Sequence, residues 1–342
     1  MIRKFKIGDK IIGNKIFIIA EMACAHGGKF NYAKKIIDAA ARSNADAIQF
    51  EVYEPDLTCI PGTNENKELR QVYFNKKQWL SLFSYAKRKK LKVFSFCYDL
   101  DALVFSIKSK VDCIKVNSSD LLNIDFLDTL VKTKIPFTLG TGSSKLEEIE
   151  FSINYLKKRN KHNFIIMHGV QNFPTKLLNE RINKVSIIKK KFKNFVGYAN
   201  HTAGNLDEAK FIDLIAIGAG AKVLEKHIII NRKDKHFDYF SSLEPKEFKN
   251  YVSFMKKGQS AFDTYNGFEI TKSDTKYRIF QKKSIVLSKD VKKGDKLSRE
   301  NICFIRNMIE EGIAPNKYKQ VKKKYFKKNF KKFSVLKYSM LK

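Results

Sequence analysis

Eight times along the chain, an apolar run of strand length is followed by an amphipathic stretch of helix length. The runs are Ile16–Ala20, Ala45–Phe50, Lys92–Phe96, Cys113–Asn117, Phe137–Gly140, Phe164–His168, Phe195–Tyr198 and Val223–His227. The helical stretches are Tyr32–Asn44, Gln78–Lys90, Asp99–Ser109, Ile124–Thr133, Lys145–Arg159, Asn179–Lys190, Leu206–Gly218 and Pro245–Thr264. Tyr32–Asn44 shows the pattern: Ala33, Ile36, Ile37 and Ala40 face one way, Lys34, Lys35 and Asp38 the other. Parallel strands need a crossover connection, usually a helix. Eight such units in about 250 residues predict an α/β fold, a (β/α)8 TIM barrel. A doubly wound open sheet is the alternative, but no Gly-rich dinucleotide loop follows the first run.

The texture changes after Asp263. Thr264–Tyr277 is polar, and Ser284–Leu297 then reads as a strand, a turn and a short strand. From Thr271 on there are 22 Lys and Arg against 6 Asp and Glu, so this end carries half of the net +32. Lys322–Lys328 looks like a nucleic-acid tail, yet Phe330, Phe333, Val335, Leu336 and Met340 predict a small packed β domain with a basic surface. The expected domains are a barrel over 1–265, a linker over 266–280 and a small β-rich domain over 281–342.

At 43% hydrophobic residues, the 342-residue chain can bury a full core. Its apolar runs fall short of a membrane span. Met1–Lys6 has no continuous apolar stretch, so no signal peptide is read. Five scattered cysteines without metal spacing fit reduced thiols in a cytoplasm. The charge invites a nucleic-acid partner, but lysine is spread along the whole chain, so neither nucleic acid nor membrane is expected. A positive field also steers anionic small substrates.

In a barrel, chemistry sits at the C-terminal strand ends. Here those ends carry Glu21, Gln49, Glu51, Phe96, Lys115, Asn117, Ser118, Thr141, His168, Gln171, Asn200, His201, Glu225 and His227. His201 and His227 end the seventh and eighth runs, which are neighbours in a closed barrel, and two neutral imidazoles are half of a divalent metal site. Glu21 could act as a base or orient a water, or be a helix-capping or salt-bridging acid. Lys115 could bind a phosphate or carboxylate, form a Schiff base, or snorkel. His168 is either a third metal ligand or a hydrogen-bonded structural histidine. His26 and His236 lie in loops, and His162 belongs to the surface.

The residues that carry a family resemblance are Phe17–Glu21 with Ala25-His26-Gly27-Gly28, Ala45–Phe50, Ile114–Asp120, Gly140-Thr141-Gly142, Gly197–Thr202 and Glu225-Lys226-His227. Lys283-Ser284, Lys292-Lys293-Gly294 and Glu300-Asn301 extend it to the C-terminal region. In these the chain resembles the sialic acid synthases, which condense phosphoenolpyruvate into nonulosonic acids. The resemblance implies a TIM barrel and a C-terminal antifreeze-like (SAF) domain swapped across a homodimer. It implies a divalent ion, usually Mn²⁺, held by His201 and His227 and polarising the open-chain aldehyde of an N-acetylated amino sugar. Carbon 3 of phosphoenolpyruvate attacks that carbonyl, water adds at carbon 2, and phosphate leaves with carbon–oxygen cleavage. Glu21 matches the acid that positions or deprotonates water. Lys115 and Ser118 match residues that hold phosphoenolpyruvate, Asp238 a sugar-binding acid, and Arg306 an arginine reaching into the partner's site. Gln49, Glu51, Asp120, Thr141 and Gln171 complete the expected substrate-binding set.

The chain also departs from the family pattern. Gln49 and Glu51 stand where Lys and Gln are usual, and Phe96-Cys97-Tyr98-Asp99 where Thr-Pro-Phe-Asp/Ser is usual. Gly140 replaces a phosphate-contacting Ser, Gln171 and Phe173 replace Asn and Tyr, Asn200 replaces Asp, and Asp120 replaces Glu. Asn307-Met308-Ile309 follows Arg306 in place of Pro-Gly. A neutral amide and an added carboxylate weaken capture of a trianion. The alternative is therefore a family member acting on another donor, or binding a sugar without turnover.

Overall fold

The computed structural model describes residues 5–13, 15–262 and 269–342. It opens with an antiparallel hairpin of β1 (Phe5–Ile7) and β2 (Lys10–Ile12). Then follow β3 (Phe17–Glu21), α1 (Phe30–Arg42), β4 (Ala47–Val52), the short helices α2 (Pro55–Thr58) and α3 (Asn64–Val72), and α4 (Lys76–Arg88). The alternation continues through β5 (Lys92–Cys97), α5 (Leu100–Lys108), β6 (Cys113–Val116), α6 (Ile124–Lys132), β7 (Phe137–Gly140) and α7 (Leu146–Lys158). It ends with β8 (Ile165–Gly169), α8 (Asn183–Phe192), β9 (Phe195–Asn200), α9 (Glu208–Gly218), β10 (Ala221–His227) and α10 (Pro245–Gln259). Strands β3 to β10 pair in parallel, and β10 returns to β3, closing the barrel among the described residues. The TIM barrel expected from the alternation is the fold observed.

Alternation along each strand builds two cores. Outward residues such as Ile18, Ile48, Phe50, Val93, Ile114, Leu139, Ile166 and Leu224 pack against Ile36, Leu82, Leu103, Leu127, Ile153 and Phe248 of the helices. Inward residues of the early strand positions (Phe17, Ile19, Ala47, Phe94, Cys113, Ile165, Met167, Val223) form a second cluster. Phe5, Ile7 and Ile12 of the hairpin join it, with Phe5 edge-on to Phe195, and so plug the N-terminal end. The sequence reading had no hairpin, because strands of three residues are too short to show a period.

Local caps set several helix starts. Asn75 and Gln78 form a reciprocal capping box at α4. Asn123 Oδ1 accepts from the Phe126 amide at α6. Asp99 Oδ1 accepts from the Ala102 amide (2.7 Å) at α5, and its Oδ2 accepts from the Glu54 amide (2.7 Å). One buried carboxylate thus starts α5 and ties down the α2–α3 insertion.

Contacts divide the chain into two compact units, Met1–Asp263 and Thr264–Lys342. In the second, α11 (Lys272–Gln281) is followed by the antiparallel pair β11 (Lys283–Leu287) and β12 (Ile302–Arg306), then by the single turn α12 (Tyr318–Val321). Ile285, Leu287, Leu297, Ile302, Val321, Phe326, Leu336 and Leu341 make its core. The basic run Lys322–Lys328 is folded in, because Phe326 is fully buried and bridges to Leu341. Helix α11 occupies part of the stretch expected to be linker. Thr271 Oγ1 accepts from the Asp274 amide (3.0 Å) and Asp274 Oδ2 from the Thr271 amide (3.0 Å), a capping box that starts a helix with no buried residue. The calls on residues 1–4 and 263–268, including the end of the eighth helical stretch and the start of the linker, lie outside the described residues. No helix among the described residues is long and apolar enough to cross a membrane.

Asp99→Ala is expected to cost about 1–2 kcal/mol, since it leaves two amides without acceptors. Thermal denaturation should show a melting point lower by a few degrees; an unchanged melting point would remove Asp99 as the tie.

Candidate active site

The strand rows that are apolar at the N-terminal end of the barrel turn polar at the other end. Phe17, Ile19 and Glu21 face inward on β3, Ala47, Gln49 and Glu51 on β4, Phe94 and Phe96 on β5, Cys113 and Lys115 on β6, and Val223, Glu225 and His227 on β10. His201 follows β9 directly. A cavity of about 530 Å³ opens there, lined by Glu21, Glu51, Phe96, Lys115, Gln171, Phe173, His201, Glu225, His227 and Asp238. Cys24, Glu65, Glu68, Leu69, Tyr98, Asn117 and Phe237 complete the wall.

The two histidines converge, their ring centroids 5.2 Å apart. His201 Nδ1 donates to the Val170 carbonyl (2.7 Å), which leaves Nε2 with its lone pair. Ser241 Oγ donates to the His201 carbonyl (2.7 Å), and Phe173 packs 4.4 Å from the ring. Burial pushes His201 down to about 3. Burial and the neighbouring His201 put His227 well below its usual value. Both rings are thus in the neutral form that ligates metals. His227 Nδ1 is buried without a hydrogen-bond partner, 4.0 Å from Asp238 Oδ2. Among the described residues no set of three His, Cys, Asp or Glu is arranged around one point. A cation here would find two nitrogens and open positions for oxygen ligands. His168 is not one of the set: it faces outward on β8 and bonds the Glu180 carbonyl (3.1 Å).

Lys115 is the permanent cation in the wall. Its Nζ donates to Glu225 Oε1 (2.6 Å), lies 3.9 Å from Glu21 Oε2 and sits 4.0 Å from the Phe96 ring centroid. Burial pulls its pKa down, but Glu225 and Glu21 outweigh it, and the net shift is upward. Glu21 Oε1 accepts from the Ala23 amide (2.7 Å), and its Oε2 accepts from Gln49 Nε2. Burial raises Glu21 well above the usual carboxyl range, with Glu225 and Glu51 adding to it against Lys115. Glu51 accepts from Tyr98 OH (2.8 Å) and Cys24 Sγ (3.4 Å), and burial raises it too. Asp238, in the left-handed region at φ 59°, is pushed up to about 7 by burial and by Glu51.

The structure therefore gathers Glu21, Glu51, Lys115, Gln171, His201, His227 and Asp238 around one cavity. Gln49 lies below it, fully buried against Glu21. Thr141 Oγ1 turns to the Met167 carbonyl (3.0 Å). Asp120 is held by Asn123 Nδ2 (2.9 Å) and Ser119 Oγ (3.2 Å), at the head of α6. Ser118 lines an adjoining cavity, which shares Asn117 and Gln171 with this one. Arg306 lies in the second unit, exposed on β12 and donating to Gln281 Oε1 (2.9 Å). Glu65 and Glu68 were missed because α3 carries no apolar stripe; Thr63, whose side chain caps Asn66, was the available signal.

The sequence pattern of the NeuB family matches residues 36–266. The chain belongs to the NeuB family. The N,N'-diacetyllegionaminic acid synthase of Campylobacter jejuni is 28% identical over 94% of this chain and 99% of its own length. The pseudaminic acid synthase of the same organism is 27% identical over 97% and 98%. The crystal structure of N-acetylneuraminic acid synthetase from Leptospira borgpetersenii, in complex with citrate, superposes with a TM-score of 0.75 at 27% identity, covering 81% of this chain and 96% of that one. NeuB membership fits the barrel, and it makes an enzyme of nonulosonic acid synthesis the family role.

Lys115→Met should destabilise this NeuB member by about 3–5 kcal/mol, because it strands buried carboxylates, and adding Glu225→Gln should restore most of the loss. Urea unfolding of the single and double variants measures both; a single variant as stable as the parent would show that the pair does not hold the cavity wall.

Proposed function

We propose that the chain is a nonulosonic acid synthase that condenses phosphoenolpyruvate with the open-chain aldehyde of an N-acetylated amino sugar, for surface carbohydrates. The observation that carries this reading is the convergence of two neutral imidazoles with Glu21 in one cavity, 5.2 Å apart ring to ring, in a chain of this family. A divalent cation, by the family resemblance Mn²⁺, held by His201 and His227 would supply Lewis-acid polarisation of the aldehyde oxygen. In the reaction, carbon 3 of the donor bonds the aldehyde carbon, and the acceptor oxygen takes a proton. Water adds at carbon 2, the carbon 2–oxygen bond to phosphate breaks, and inorganic phosphate and a 2-keto-3-deoxy acid result.

The chain's own residues have distinct tasks in this scheme. Lys115 offers a fixed positive charge to the donor's carboxylate or phosphate. Glu21, whose basicity burial raises, is suited to take the proton of the adding water. Gln49 and the Ala23 amide hold that carboxylate in place. Asp238 faces the sugar beside His227. Ser118, Asp120, Thr141 and Gln171 are proposed for the donor side. Arg306 is proposed to reach the partner's cavity from a SAF-type domain in a swapped homodimer. Five free thiols support a reducing, cytoplasmic setting.

A second reading, another donor or sugar binding without turnover, is favoured by one observation: six carboxylates face the cavity while its lysine is already paired. Phosphate release from phosphoenolpyruvate with Mn²⁺ and a panel of N-acetylated hexosamines separates the two. The first reading expects release that needs both acceptor and metal. It also expects a loss of more than about 100-fold, or about 2.7 kcal/mol, in His201→Ala and in His227→Ala. Silence across the panel with Mn²⁺ bound would establish the second.

A further inference from the structure

We propose that Glu180 is a positioning residue for His201. Its buried carboxylate pins the β8–α8 loop, and that loop carries the Val170 carbonyl that keeps the His201 proton on Nδ1. The inference rests on the function proposed above, because it concerns the imidazole assigned there to the cation.

The β8–α8 loop buries very little. From Gln171 to Glu180 only Thr175 and Glu180 are buried. Leu178 is 90% exposed, and Phe173 and Leu177 are each 43% exposed. Hydrophobic packing therefore does not fix the segment. Its position depends on the polar contacts of the two buried residues, and both reach the same short stretch around His201. The Thr175 amide donates to the His201 carbonyl (2.9 Å), and Thr175 bridges to Thr202. Glu180 Oε1 accepts from the Thr202 hydroxyl (2.7 Å), and Oε2 accepts from the Tyr198 hydroxyl.

Glu180 is the stronger of the two anchors, since a carboxylate acceptor makes stronger hydrogen bonds than a neutral one. Its backbone is held as well: the Glu180 carbonyl accepts from His168 Nε2 (3.1 Å). The outward-facing His168 thus supports the site from behind. Which nitrogen of a neutral imidazole carries the proton is set by the bond that the other nitrogen makes. For His201 that bond runs from Nδ1 to the Val170 carbonyl (2.7 Å), at the start of the loop. Glu180, at the end of the loop, grips Thr202, the residue next to His201. The loop and the imidazole are therefore fastened to each other at both ends. Without the carboxylate, Thr175 is the one buried clamp left between Gln171 and Glu180. The Val170 carbonyl and the His201 ring are then free to part, and Nε2 no longer keeps its lone pair at all times.

Nitrogen-15 NMR of the metal-free full chain, labelled at its six histidines, tests this at pH 7. His201 is assigned by the signals lost in His201→Gln. In the parent it should be neutral with the proton on Nδ1. In Glu180→Gln its signals should move toward a mixture of the two tautomers. Thr202→Val, which removes one hydroxyl at constant shape, should shift them the same way, while Thr202→Ser should keep the parent pattern. His26 and His236, outside the loop, should keep their signals in every variant and so report an intact fold. If Glu180→Gln does not fold, Thr202→Val decides. A parent proton on Nε2 would overturn the inference, as would unchanged His201 signals in the folded variant. Loss of the fold in both variants would also overturn it, because Glu180 would then hold the barrel rather than the imidazole. If the parent binds Mn²⁺, calorimetry should show its affinity lower by about 10–100-fold in Glu180→Gln; unchanged affinity would overturn the inference. A parent that binds no Mn²⁺ would overturn the metal reading alone, since the metal-free spectra decide the role of Glu180.

Discussion

The return of β10 to β3 is the contact on which the rest depends. It pairs residues some two hundred positions apart and sets His227 opposite Glu21. Its neighbour β9 then brings His201 to the same rim. No local preference could place these groups together, and a slip of one residue in any pairing would exchange the inward and outward rows. The register is protected by what each row buries. Inward, Phe17, Ile19 and Val223 pack under the hairpin plug; outward, Ile18 and Leu224 pack under the helices. Closure thus rests on ordinary hydrophobic burial, and the polar ends of the same rows are carried along.

The electrostatics of the site follow from that arrangement. Carboxylates on adjacent strands are forced toward one another in a place with little water. Lys115 relieves part of the strain by reaching Glu225 and Glu21, and Gln49 satisfies Glu21 without adding charge. Behind the cavity, Asn200 donates to Asp213 Oδ2 (2.6 Å) and accepts from the Thr202 amide (2.7 Å), which fixes the backbone on both sides of His201. The imidazoles stay neutral because burial penalises their charged form, and this same burial makes them available as nitrogen ligands.

Both the strands and the helices were legible because their signals are local. An apolar run such as Phe137–Gly140, or the stripe of Ala33, Ile36, Ile37 and Ala40, declares itself within a few residues. The histidine pair was legible for the same reason, since each ends a run. Elements without a burial pattern were not: the three-residue strands of the hairpin, and α3 and α11, which bury little or nothing.

By itself the sequence determined that eight strands would alternate with helices and which residues would stand at their ends, because those properties are written in the period of hydrophobicity. Tertiary structure decided which of these residues share the cavity. His168 and His227 both stand near strand ends, yet one turns outward to Glu180 and the other inward, by a difference of one position in a two-residue repeat. Glu65 and Glu68 reach the rim only because an insertion pinned by Asp99 folds α3 over it. Side-chain direction and long-range closure are properties of the packed barrel, and no stretch of sequence carries them alone.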